Sequence, residues 1–232
     1  MARNNKLPLE SQHIEKALLS LSEKLKERGV SMEICIYGGS ALVFGYRMRM
    51  ATNDIDFRII EMDTTGEYAD RLDDLTKIIR SCIYAVGVEL GAGEDWMNDG
   101  VKGFVSALEN KPLEMDKHRK TIAEYPDSGN PSLRVNIPSL EYMLAMKCMA
   151  MRSESEGQDK QDIKNILREL GGPGYDAALE IITKFYPGML PPKVFFGLRE
   201  IMEGLFPEAH RGDKQDDDEQ ESDGGDWFLS GP

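Results

Sequence analysis

Ile36-Tyr37-Gly38-Gly39-Ser40, thirteen intervening residues, and then Asp54-Ile55-Asp56-Phe57 is the stretch on which the fold turns. The run from Met32 to Tyr37 is rich in β-branched and aromatic residues and stops at two glycines, which predicts a strand running into a tight turn. Ser40-Ala41-Leu42-Val43 predicts the first turn of a short helix capped by Ser40. Asp54 to Ile60 predicts a second strand, on which carboxylates at i and i+2 share a face while Ile55 and Phe57 turn into the core. Like charges held that close repel, and a divalent cation is the usual compensation. Oxygen-only ligation open to solvent suits Mg²⁺ better than zinc. A glycine pair lets the backbone approach a bound anion, and a helix start beside it offers unpaired N–H groups. Each half has a plain alternative, a simple turn for the glycines and a solvated edge for the acids. Together they make a phosphate cradle beside a metal platform, the equipment for moving a nucleotidyl group.

Working outward, residues 9–28 predict a helix, with Ile14, Ala17, Leu18, Leu21 and Leu25 on one face and Gly29 as its stop. A second long helix is expected over 66–86, carrying Leu72, Leu75, Ile78, Ile79, Cys82 and Ile83. Residues 101–131 give no clear element and end in a loop, Pro126-Asp127-Ser128-Gly129-Asn130-Pro131. Leu133 to Ile137 predicts a strand, and helices follow over 139–152, 159–170, 175–186 and 192–205. The expected class is α+β: a small mixed sheet flanked by helices in 1–137, a helical subdomain in 138–206, and an acidic tail in 207–232 with too little apolar content to fold. Trp227-Phe228-Leu229 near the end reads either as unstructured chain or as an apolar plug for the body or a partner.

The chain of 232 residues carries 41 acidic and 28 basic residues, a formal charge of −13. That excess argues against general affinity for nucleic acid. It is uneven: nine acids and two bases fall between Pro207 and Pro232, so the tail holds −7 and the rest −6. Cys35, Cys82 and Cys148 are dispersed in apolar runs with no CxxC pair or Cys/His cluster, so neither a zinc site nor a disulfide framework is indicated, and an odd count of thiols suits a reducing, cytoplasmic setting. No run approaches the ~20 apolar residues of a membrane helix, so no membrane partner is expected.

The first motif resembles the signature of the polymerase-β-like nucleotidyltransferase superfamily, at the long end of that family's spacing between the glycines and the acids. Three further stretches resemble uncharacterised bacterial nucleotidyltransferases related to the AbiE-type toxins of toxin–antitoxin and phage-defence systems. They are Glu94 to Phe104 (Glu-Asp-Trp-Met-Asn-Asp-Gly-Val-Lys-Gly-Phe), Leu140 to Lys147 (Leu-Glu-Tyr-Met-Leu-Ala-Met-Lys), and Arg152 with Asp159-Lys160-Gln161-Asp162-Ile163. The resemblance covers residues 10–170. It implies that Gly38, Gly39 and Ser40 hold a nucleoside triphosphate, with Ser40 offering its hydroxyl. It implies that Asp54 and Asp56 bind Mg²⁺, that Lys147 points at the triphosphate, and that Asp159 or Asp162 joins them from the next helix. The activity implied is transfer of NMP from an NTP to a hydroxyl of a tRNA end, a protein or a small molecule such as an aminoglycoside, with an antitoxin as a candidate partner.

Each late residue has a structural alternative. Lys147 snorkels from an apolar helix, and Asp159 and Asp162 complement a helix dipole. Trp96 either lines a substrate pocket with Asn98 and Asp99 or anchors the helix before it. Arg47 and Arg49 are candidates for phosphate or nucleic-acid contact, against a solvated loop. Most active members of the superfamily carry a third acid as base on a neighbouring strand. The strand expected to hold it, Ser132-Leu133-Arg134-Val135-Asn136-Ile137, has none, and Asn136 cannot take a proton at neutral pH. Asp159, Asp162, Glu114 or Asp116 replaces it, or catalysis is lost and the chain is a binding module acting through a protein partner.

Overall fold

The computed structural model describes residues 8–64, 72–127, 129–151 and 157–205. Arg152, the acidic tail, Trp227-Phe228-Leu229 and the start of the helix expected over 66–86 lie outside the described residues. After a two-residue strand β1 (Leu9–Glu10), the first helix forms as α1 (Ser11–Glu27). Its periodic positions Ile14, Ala17, Leu18, Leu21 and Leu25 are all buried, each Leu worth about 1.5–3 kcal/mol for leaving water. Gly29, at φ +64°, turns the chain into β2 (Val30–Tyr37). The last four residues of β2 are all buried, as befits a strand covered on both faces.

At Gly38 the chain passes directly into α2 (Gly38–Ser40) and on into a wider π turn, Ala41–Gly45. The helix therefore starts two residues before the expected Ser40 cap. Gly38 makes this sharp entry at φ +59°, a conformation that costs glycine no steric clash. A short strand β3 (Ala51–Thr52) pairs with β1, and β4 (Ile55–Thr64) then runs antiparallel to β2, with Asp56 opposite Tyr37. α3 (Leu72–Glu89) packs on α1 and leads to β5 (Met97–Asn98), parallel to β4 with Asn98 opposite Asp56.

The segment that gave no clear element holds 3₁₀ turns at Gly100–Gly103, Ala107–Asn110 and Asp116–His118, a single turn α4 (Pro112–Met115), and a seven-residue strand β6 (Arg119–Tyr125). β6 is an edge strand with no fully buried residue, so its apolar side chains do not alternate cleanly. β7 (Leu133–Pro138) completes a five-stranded mixed sheet in the order β5-β4-β2-β7-β6. Four helices follow: α5 (Leu140–Ala150), capped by the Ser139 hydroxyl, then α6 (Gln158–Glu169), α7 (Tyr175–Phe185) and α8 (Pro192–Leu205). α5 packs on α6, α7 and α8. The architecture is α+β, and no described helix is long and apolar enough to cross a membrane. Cys35, Cys82 and Cys148 are buried and unpaired.

Candidate active site

Where the head of β4 faces α5 and α6, a cavity of about 560 Å³ opens. Gly38, Gly39, Arg49, Thr52, Asp54 and Asp56 line it from the sheet side, Asn98 and Gly100 from one flank, and Lys147 and Asp159 from the helices. Residues more than a hundred positions apart in the chain thus share one wall. Pockets of this size hold small molecules, and an apolar margin of Phe104, Met143 and Met146 completes this one.

The two expected carboxylates converge. The Asp56 carboxyl is pushed up to about 6, first by burial and then by the neighbouring Asp54 charge, with Lys147 opposing. The glycines keep its surroundings open. A Cβ on Gly38 would stand 3.2 Å from Asp56 Oδ2, and one on Gly100 would stand 3.2 Å from Asp56 Oδ1. At Gly39 a Cβ would come within 2.5 Å of Thr52 Oγ1 and 3.0 Å of Arg49 Nη1. Bare backbone therefore lies against both an acid and a cation.

Lys147 does not snorkel. Its ammonium sits 2.8 Å from Asp159 Oδ1 and 2.8 Å from Asp162 Oδ2. Asp162 is 1% exposed and also receives Gln158 Nε2 at 2.9 Å and Arg49 Nη1 at 3.4 Å. One buried carboxylate thus ties both cations of the cavity to α6. Asp162 lies behind the wall, whereas Asp159 is part of it.

Ser40 is placed differently from expectation. It is 1% exposed, its hydroxyl donates to the Tyr37 carbonyl at 2.7 Å, and it does not line the cavity. Its position inside the first turn, and not at a cap, directs the hydroxyl back at the preceding strand. Arg49 lines the cavity, held by the Ala51 carbonyl at 2.7 Å, while Arg47 turns away to the Ser11 hydroxyl. Trp96 is fully buried with Nε1 donating to the Ile83 carbonyl at 2.7 Å, an anchor for α3. Asp99 pairs with Lys102 outside the cavity.

The strand beside the two acids is not the one expected. β7 lies across β2 from β4, and Asn136 donates to Glu33 Oε1 at 2.9 Å and the Ile34 carbonyl at 3.1 Å, away from the cavity. The neighbour of β4 is the two-residue β5, too short for any periodic signal. It brings Asn98, whose Nδ2 donates to Asp54 Oδ2 at 3.3 Å and whose Oδ1 accepts from Gly100 N–H at 2.8 Å. Glu114 and Asp116 pair with Lys111 and Arg119 outside the cavity. Among the described residues no group of three His, Cys, Asp or Glu converges to hold a metal.

The flank that supplies Gly100 and Phe104 is tied down on three sides. Tyr37 donates to Glu109 Oε1 at 2.8 Å, the Tyr142 hydroxyl accepts from Ser106 N–H at 2.9 Å, and the Tyr186 hydroxyl donates to the Phe104 carbonyl. These tyrosines were not legible as site residues, since they work by holding the flank, Tyr142 and Tyr186 through its backbone and Tyr37 through the Glu109 side chain. No protein-family model, curated protein or solved structure matches the chain.

Proposed function

We propose that this chain transfers a nucleoside monophosphate from a Mg²⁺-bound NTP to an acceptor oxygen. The observation that carries the reading is the meeting of Asp54 and Asp56 with a bare Gly38-Gly39 backbone, Arg49 and Lys147 around one cavity. The lining holds three carboxylates, Asp54, Asp56 and Asp159, against two cations, so a polyphosphate enters only with a cation of its own. An all-oxygen pair of carboxylates suits Mg²⁺, which keeps most of its other positions for phosphate oxygens and water. Asp54 and Asp56 would hold that ion, and it would neutralise charge developing on the leaving pyrophosphate.

The chain's own residues do the rest. Gly38 and Gly39 let phosphate oxygens approach the main chain, and Arg49 and Lys147, side by side on Asp162, balance their charge. Asp162 and Asp159 hold Lys147 in place, which makes Asp162 a positioning residue. Phe104, Met143 and Met146 offer apolar contact to a base and exclude water. Incubation with α-labelled NTPs, Mg²⁺ and cell lysate tests the reading. Wild type labels an acceptor, and the Asp54→Ala/Asp56→Ala variant does not; equal labelling by the two refutes it.

A second reading is favoured by Asn98, which puts an amide beside Asp54 where a catalytic acid is expected. On that reading the chain binds Mg·NTP or a protein partner without turnover. Calorimetry separates the two: Mg·NTP binding that depends on Asp54 without any labelled product supports the binding module.

A further inference from the structure

The acceptor has to be compatible with Asn98. Its amide orientation is fixed by its partners, because a backbone N–H must meet oxygen and a carboxylate must meet the NH₂ group. Its oxygen is thus occupied by Gly100 and its nitrogen faces Asp54. Among the described residues the second Nδ2 hydrogen has no acceptor. The position opposite Asp56 on β5 is therefore a hydrogen-bond donor and cannot serve as a base. Asp159, the other acid in the cavity besides the Asp54–Asp56 pair, is engaged by Lys147 at 2.8 Å. Among the described residues an alcohol acceptor would meet only carboxylates already committed to Mg²⁺ or to Lys147.

An amide in place of an acid also removes one negative charge from the acceptor's side of the site. Behind the same 99–102 turn, Arg58, Arg80 and Lys102 line a second cleft of about 250 Å³, in which Asp99 is the only acid among the lining residues. No residue lines both: the cleft takes Phe57, Arg58 and Ile59 of β4 with Asp99 and Lys102, and the cavity takes Asp56 with Asn98 and Gly100. In the cleft Lys102 is paired with Asp99 and Arg58 with Glu109 at 4.0 Å, so the group left open to an anion on this side is the second N–H of Asn98.

We infer that the acceptor is an oxygen already ionised at neutral pH, a phosphomonoester or a carboxylate, received by the free N–H of Asn98. This rests on the nucleotidyltransferase reading above. In the step, a lone pair of the acceptor oxyanion forms the new O–P bond at the α-phosphorus. The bond from that phosphorus to the oxygen bridging to the β-phosphate breaks, and pyrophosphate leaves with the electron pair. The acceptor loses no proton, so no base is needed.

The experiment compares three sets of acceptors with α-labelled NTPs and Mg²⁺: AMP and glucose 1-phosphate; acetate and glycine; adenosine and glucose. Wild type labels one of the two anionic sets at least about 100-fold faster than the alcohols, the size of effect a missing general base produces. Which anionic set is labelled tells phosphate from carboxylate. Asn98→Asp shifts the preference towards alcohols and weakens calorimetric binding of AMP to the protein loaded with Mg²⁺ and a non-hydrolysable NTP. Transfer to alcohols at a comparable rate, or an Asn98→Asp variant with unchanged preference and unchanged AMP binding, overturns the inference. So does Mg·NTP binding without transfer to any anionic set. If wild type does not bind Mg·NTP at all, the nucleotidyltransferase reading itself falls, an outcome distinct from the others.

Discussion

The ammonium of Lys147 lies 2.8 Å from Oδ2 of Asp162, a carboxylate 1% exposed to solvent. The two residues come from α5 and α6, and Arg49 from the loop before β3 reaches the same oxygen at 3.4 Å. The charge network is therefore both a clasp between helices and the mount for the cavity's cations. Removing one member of a buried pair leaves the other uncompensated, at a cost of about 3–5 kcal/mol. Asp162→Ala should lose about that much stability in urea unfolding, and Mg·NTP affinity should fall with it. The double variant Lys147→Met/Asp162→Leu should be more stable than Asp162→Ala. A double variant as unstable as the sum of its parts would show that the pair acts independently.

At Gly39 the constraint is space. The residue is helical, so backbone strain is not at issue, but a Cβ would meet Thr52 Oγ1 at 2.5 Å. Gly39→Ala should cost about 1–3 kcal/mol by overpacking. It should also weaken Mg·NTP binding at least about 10-fold, because it covers main chain that phosphate would touch. Thr52→Ala in the same chain removes the nearest clashing atom and should recover part of the stability and of the affinity, since Arg49 Nη1 at 3.0 Å and the Thr52 Cβ at 3.2 Å still crowd the position.

The sheet's centre was legible because β2 is an apolar run ended by two glycines and the head of β4 alternates acid and apolar residues. The long helices were legible from their buried periodic faces. β6 was hidden because an edge strand of Arg119, Lys120 and Glu124 buries too little to show a period. β5 was hidden by its length of two residues, and with it the place of Asn98. The strand expected to carry a third acid, β7, lies on the far side of β2 from Asp54 and Asp56. Lys147, Asp159 and Asp162 were named from sequence, yet their mutual pairing depends on how α5 meets α6, which no local pattern carries. Ser40 shows the reverse: a hydroxyl in the right motif, turned away by starting the helix two residues sooner.

Asp56 gives the site a pH signature in the metal-free protein. With its carboxyl pushed up to about 6, the folded chain binds that proton more tightly than the unfolded chain does. Stability from this group is therefore present at low pH and is lost as pH rises from about 4 to about 6, then stays level. At neutral pH the ionised group costs roughly 1–2 kcal/mol once solvent screening is allowed for. Asp56→Asn should be more stable than wild type at pH 7 in EDTA, with the difference vanishing near pH 4. Urea midpoints of the two proteins across that range provide the check, and a difference independent of pH would contradict it.

Tyr142 links the helical half to the cavity flank. It is fully buried on α5, and its hydroxyl is the acceptor for the Ser106 N–H at 2.9 Å. Tyr142→Phe keeps the ring and its stacking on Phe185 but strands that buried N–H, at a cost of about 1–3 kcal/mol. The loss falls on the segment that carries Gly100 and Phe104 to the cavity, because Tyr37 and Tyr186 still hold its two ends. Amide exchange should therefore quicken around Ser106 while α5 and α7 keep their protection, and Mg·NTP affinity should drop without loss of fold. Uniform acceleration through α5 and α7 would mean that the hydroxyl supports the helical core instead, and that the flank follows the core without any freedom of its own.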